Sequence, residues 1–231
     1  MTAPHTATAP LVAPDPSLEW LIVRANLSDD AKAIVATSGN CDAALDTLLH
    51  ANLDVDALRM IAFALPPREG VWWAWTAATH ASRLPTAKAM TPEVQGALAA
   101  TEQWIANPDD EHRRAAWKAA QLVGVETSAG SAAAAAYFTG GSVAPADITP
   151  IPPPPAIHAA LAFVSVIAAS ATDTAQFAPM ARACVAQGLT VVKQLGGYPT
   201  CISHARTHHD AMLEQHKAVA EPPPADAPPA G

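Results

Sequence analysis

The densest group of chemistry-bearing residues is the run HARTHHD, residues 204–210. His204 and His208 are four apart, which places two imidazoles on one helical face, a spacing that can bind Zn²⁺ or Ni²⁺. His209, Asp210 and His216 lie nearby, but no third ligand follows at tight spacing and a polar tail comes next. The pair therefore reads first as a solvated face and only second as a weak metal candidate. Two charged pairs offer a different chemistry, Arg68 with Glu69 and Arg113 with Arg114. Neighbours in sequence do not face each other on a helix, so neither pair holds itself together. Both are candidates for contact with a partner; for Arg113 and Arg114 plain solvation is the first reading.

The third group is LPPREGVWWAW, residues 65–75, with Trp72, Trp73 and Trp75 directly behind two prolines. Pro66 ends one helix, because the residue before a proline is driven out of the α region. Pro67 suits the first position of the next, where its missing N–H would have no partner. At about 100° per residue, Trp72 and Trp75 lie about 60° apart and Trp73 about 160° from Trp75. Three indoles cannot then share one stripe, and a helix bulky on nearly every side must be surrounded by others. The alternative turns one indole outward as an anchor for a partner, since tryptophan is enriched at binding hot spots, and Trp73 is then the candidate.

Familiar catalytic signatures do not occur. The chain has no glycine-rich phosphate loop, no nucleophile elbow, no His-Glu-x-x-His and no Cys-x-x-Cys. Gly196-Gly197 lacks a preceding strand and reads as a helix end followed by a turn. Ser, His and Asp are frequent enough for a triad to assemble in space, which a linear order does not reveal.

The elements that must position these groups announce themselves by caps and periodicity. Ser28 opens a helix that ends at Gly39 and Asn40, and Asn40 caps the next, with Leu45, Leu48 and Leu49 as its stripe. Asp54 is read as the cap of a third, carrying Leu58, Ile61 and Leu65. SLEWLIVRANL suits a helix, although its β-branched centre also fits a short strand. Thr91-Pro92-Glu93 opens another, and Asn107-Pro108 is read as opening the one after it, with Asn107 and Asp110 at capping-box spacing. SAAAAAYFTGG is a thin alanine helix able to approach its neighbours closely. VAPADITPIPPPP, residues 143–155, is a stiff connector, followed by helices at about 156–171, 173–195 and 203–218. The helix starts show no constant period, so a regular solenoid is not expected.

The totals exclude several classes. Thirteen Lys plus Arg against 21 Asp plus Glu give a net charge of −8, which disfavours a nucleic-acid partner. Of this, −5 falls in residues 1–60, mostly at helix starts where the macrodipole favours anions; an acidic docking surface is the other reading. Three widely spaced cysteines, Cys41, Cys184 and Cys201, form neither a metal pattern nor a disulfide framework and fit a reducing compartment. The first residues show no basic region and apolar run of a secretory signal. AIHAALAFVSVIAAS, at 156–170, is too short for a span and reads as a buried core helix.

The order LSDDA, DALRMIAFALPPREGVWWAW, EQWIANPDDEHRRAAWKAA and AYFTGGSVAP before PPPP, over residues 18–200, resembles an uncharacterised bacterial all-helical family, a domain of unknown function. REGVWW is its most specific piece. Pro67 stands where the family pattern has a basic residue, and Gly70 where it has Ala. The resemblance implies a genetic neighbourhood of type VI secretion components, hence an accessory or adaptor role, and no mechanism.

The expected protein is all-α: an irregular multi-helix bundle over 17–141, a proline-rich connector over 142–155 and a second small helical unit over 156–217. Disordered ends are expected at 1–16 and 218–231. The expected function is a non-catalytic adaptor binding protein partners in a bacterial cytoplasm, without cofactor or metal. Its contact candidates are Arg68, Glu69, Trp73, Arg113 and Arg114. The alternative is a small-molecule binder or enzyme whose pocket is lined by Trp72, Trp73 and Trp75, with Arg68 as an anion contact.

Overall fold

The computed structural model describes residues 15–87, 90–145 and 148–220. The terminal stretches 1–14 and 221–231, where disorder is expected from composition, lie outside the described residues. Among the described residues the chain forms eleven α-helices and no strand, so the all-α class holds. In order these are α1 (Pro16–Arg24), α2 (Asp29–Thr37), α3 (Cys41–His50), α4 (Asp54–Ala64), α5 (Pro67–Ala81), α6 (Pro92–Ala106), α7 (Asp110–Val123), α8 (Ser128–Tyr137), α9 (Ile157–Ser170), α10 (Phe177–Gln194) and α11 (Tyr198–Ala220).

Side chains fix most of the starts. Ser28, Asn40, Thr91 and Thr127 each accept a hydrogen bond from the backbone N–H three residues on, satisfying a donor that the first helical turn leaves unpaired. SLEWLIVR is helical, capped by Asp15. Two expected caps move. Leu53, not Asp54, holds the cap position of α4, with no side-chain bond. Asp54 is buried and accepts instead from Arg182 Nε at 2.8 Å, tying α10 to the turn before α4. At α7 the cap is Asp109, which accepts from His112 N; Asn107 closes α6. Asp109 wins because it follows the proline and carries the extended backbone that aims a cap side chain at the third amide.

The centre is built from α5 and α8. The α5 helix lies against α6, α8, α9 and α10, and Val71, Trp73, Ala74 and Ala77 are buried along it. Trp72 and Trp75 are half-buried and pack on the edge of the same core. In α8 every residue from Ala129 to Tyr137 is buried, because alanines let α5, α6, α7 and α9 approach from all sides.

The proline segment divides the sequence but not the core. From beyond it, α9 packs on α5, α8 and α4, and α10 packs on α4, so Val166, Ala162, Val185 and Val192 join the same apolar cluster as Leu45, Leu58 and Trp73. Ser128 Oγ donates to Ser165 O at 2.9 Å while Ser165 Oγ donates to Ser128 O at 2.8 Å, a reciprocal stitch between α8 and α9. The last helix starts at Tyr198, earlier than its polar sequence suggests, and runs 23 residues. No single helix among the described residues is long and apolar enough to cross a membrane; α9 and the helical segment after it pass by length and composition only as a pair bent by 110°.

Candidate functional site

The two arginines of α7 both bind backbone after α8, Arg113 buried and Arg114 about a third exposed. Arg113 is buried, and its guanidinium donates to Asp110 Oδ1 (2.9 and 2.6 Å), Tyr137 O (2.8 Å) and Ser142 O (2.9 Å) while lying 4.6 Å from the Tyr137 ring centre. Arg114 donates to Asp110 Oδ2 at 2.8 Å and reaches Ser142 O and Ala144 O at 3.3 Å. Arg114, then Arg113, hold the Asp110 carboxyl below the usual carboxylate range. Trp117 stacks on Tyr137 at 4.9 Å and Phe138 closes both edges. This is a brace for the turn after α8, since the planar fork satisfies carbonyls that a chain reversal leaves open. Gly141 makes it possible: its φ is +67°, and a Cβ there would lie 2.8 Å from Arg113 Nη2.

Arg68 and Glu69 diverge. Arg68 Nε donates to Ile105 O at 2.8 Å and closes the C-terminus of α6, where carbonyls lack partners. Glu69 is half-buried and lies near Cys201, whose thiol is pushed up to about 11 by burial first and by this carboxylate second. Trp73, the candidate if one indole faced outward, has no exposed surface; its Nε1 donates to Cys184 O at 2.9 Å. Gly188 permits that approach, because a Cβ there would lie 2.3 Å from Ile61 Cγ2 and 3.2 Å from Trp73 Nε1. Trp75 Nε1 donates to Leu98 O at 3.0 Å. The histidine pair is split by burial. His204 is exposed, whereas the half-buried His208 contacts Thr139 O at 2.6 Å. Among the described residues no three potential metal ligands come together.

The three thiols are buried and held above their ordinary range, Cys41 at about 12, chiefly by loss of hydration. They stay protonated near neutrality, the unreactive form.

Two of the concavities among the described residues bear on these elements. A cleft of about 520 Å³ opens where the end of α5, the start of α6, the start of α8 and the end of α9 meet. Its floor is Ala78, Ala81, Ala129 and Ala168; Met90 and Val94 form one wall, and Glu126 and Thr127 the polar rim. A groove of about 650 Å³ lies between the end of α11 and the connector, bordered by Asp110, Arg114, Ser142, Pro152 and Gln215. Neither is lined by Trp72, Trp73, Trp75 or Arg68. The alanine cleft was not legible, because its four walls come from segments up to 94 residues apart, Ala78 to Thr172.

A helical scaffold with an internally braced turn and an alanine-floored cleft at one end defines the class. Within it, the chain belongs to a family of unknown function (DUF6931), whose family model matches residues 44–192, from within α3 to near the end of α10. No curated protein and no solved structure matches the chain.

Proposed function

We propose that the protein is a helical adaptor that takes an amphipathic segment of a protein partner in the alanine-floored cleft. The observation that carries this is the continuity of apolar surface there. The floor is small and apolar, and Met90 stands on its wall with more than a third of its surface exposed. Single exposed apolar side chains are ordinary, but a concave apolar surface edged by polar groups fits the apolar face of a partner segment. Glu126, exposed at the rim, suits a basic residue beside that side chain. The candidate arginines support the reading indirectly, since they stabilise the turn that follows α8 and leave the contact surface to the cleft.

Service to a bacterial type VI secretion system in the cytoplasm is the setting that the family resemblance suggests, and it is part of the proposal. The alternative, a small-molecule pocket around the tryptophan helix, has the weaker support, because Trp73 is enclosed and Arg68 is committed to α6. The test is affinity capture from the native host with the wild type and with Ala168→Trp, which fills the cleft from α9. The reading expects one reproducible partner that the variant fails to retain while keeping its melting temperature. Equal recovery by both proteins, or no reproducible partner, contradicts it.

A further inference from the structure

The inward face of α11 changes character along its length. Tyr198, Cys201 and Ile202 anchor its first turn in the core, whereas the next inward positions are His208, His209, Met212 and the half-buried His216. Each histidine meets a different element: His208 contacts Thr139 O, His209 packs edge-on against Trp20 of α1 at 5.2 Å, and His216 contacts Pro153 O of the connector at 3.0 Å. Facing them from α9 is His158, buried, with its ring 4.9 Å from that of His208. The Nδ1 atoms of His158 and His208 are both buried without a hydrogen-bond partner. An apolar helix stripe needs no imidazoles, and a buried imidazole nitrogen without a partner opposes burial.

From this geometry we infer that the second half of α11, from about Arg206 onward, is a latch that closes over the histidine cluster near neutral pH and releases on mild acidification while Tyr198–Ile202 stays anchored. The surroundings do not neutralise a charged imidazole. From α1 the charged groups are Glu19, which is exposed, and Arg24, 5.0 Å from the Trp20 ring, and α11 adds Arg206 at 5.4 Å from the same ring. The charged residues of α4 are engaged elsewhere: Asp54 with Arg182, Asp56 with Ser28, Arg59 over Phe163. Lys193 of α10 is exposed, and Glu69 lies near Cys201 in the anchored turn. The carboxylate in contact with the cluster is Asp210, which His209 Nδ1 approaches at 3.3 Å and which is largely exposed; Asp110, paired with Arg114, borders the groove beside the end of α11.

The sign follows from His158. Burial first, then the charges of His208 and His209, hold it at about 3 instead of its ordinary 6.5. With the latch open the ring takes a proton below pH 6.5; with it closed the ring stays neutral until about 3. Closure therefore weakens about tenfold per pH unit between those values. Release would uncover Pro152 and Pro153, buried under the same end of the helix, and open the groove that α11 shares with the connector. All of α11 lies beyond the family-matched residues, so the device is separable from the cleft.

Hydrogen–deuterium exchange of the full chain at about pH 7.5 and about pH 5.5, with exchange times scaled for the intrinsic rate, tests it. The amides of residues 206–220 should lose about tenfold in protection at the lower pH while α5 and α9 keep theirs. His158→Leu should make the protection of 206–220 independent of pH. Should that variant not fold, His208→Gln keeps a donor for Thr139 O while removing the imidazole that faces His158, and should reduce the pH effect in the same direction. Unchanged wild-type protection, a loss as large in these variants, or an equal loss in α5 and α9 would each overturn the latch.

Discussion

At the scale of single residues, Trp73 and Arg113, which looked available for contact, are consumed by the fold. Trp73 fills the centre and donates to Cys184 O, so Trp73→Ala should cost about 3–5 kcal/mol in urea unfolding. Gly188→Val should cost about 1–3 kcal/mol, because its Cβ would strike Ile61 and displace the indole. Neither contact was legible: Trp73 and Cys184 are 111 residues apart, and a glycine in a helix does not reveal which helix crosses it. The splaying of the three indoles was legible, because helical angles alone forbid a common stripe, and so was the enclosure it demands. Of the two readings of Trp73, enclosure holds and the outward anchor does not, because α10 covers that side. His158 adds a pH dependence to the whole chain. As its folded value lies below 6.5, the unfolded state binds more protons, and stability should fall by about 1.4 kcal/mol per pH unit as pH drops from 6.5. Urea midpoints measured across that window check it, and His158→Leu should flatten the slope.

At the scale of elements, the helices were mostly readable because their caps are local. Ser28, Asn40 and Thr91 each satisfy an amide three residues away, a contact that needs no tertiary knowledge. Asp54 and Asn107 misled for the same reason: a carboxylate or amide near a helix start resembles a cap even when Arg182 or a chain reversal claims the position. The arginine brace belongs here as well. Arg113→Lys keeps the charge but not the fork, leaving Tyr137 O or Ser142 O without its donor, and should cost about 1.5–3 kcal/mol. Limited proteolysis should then cut first at the turn spanning 138–145. Cleavage elsewhere would show that the brace holds less than its geometry indicates.

At the scale of the molecule, helices on both sides of the proline segment share one core. The connector's composition marked its position, but composition does not say which surfaces meet across it, and α9 meets α5 and α8 along its length. A chain ending at residue 155 should therefore fail to give a single cooperative unfolding transition, because the inner faces of α5 and α8 would be open to water. The cleft exists only in this assembled form, since α9 supplies one of its walls. Its role as a partner site is the claim on which the functional reading stands. The most direct measurement places a photo-crosslinking residue at Ala171, on the cleft, and separately at Leu213, exposed on α11, in the native host. The account predicts that one protein is trapped from position 171, is lost when Ala168→Trp is added, and is absent from position 213. Trapping of the same proteins from both positions, or of none from 171, would contradict it.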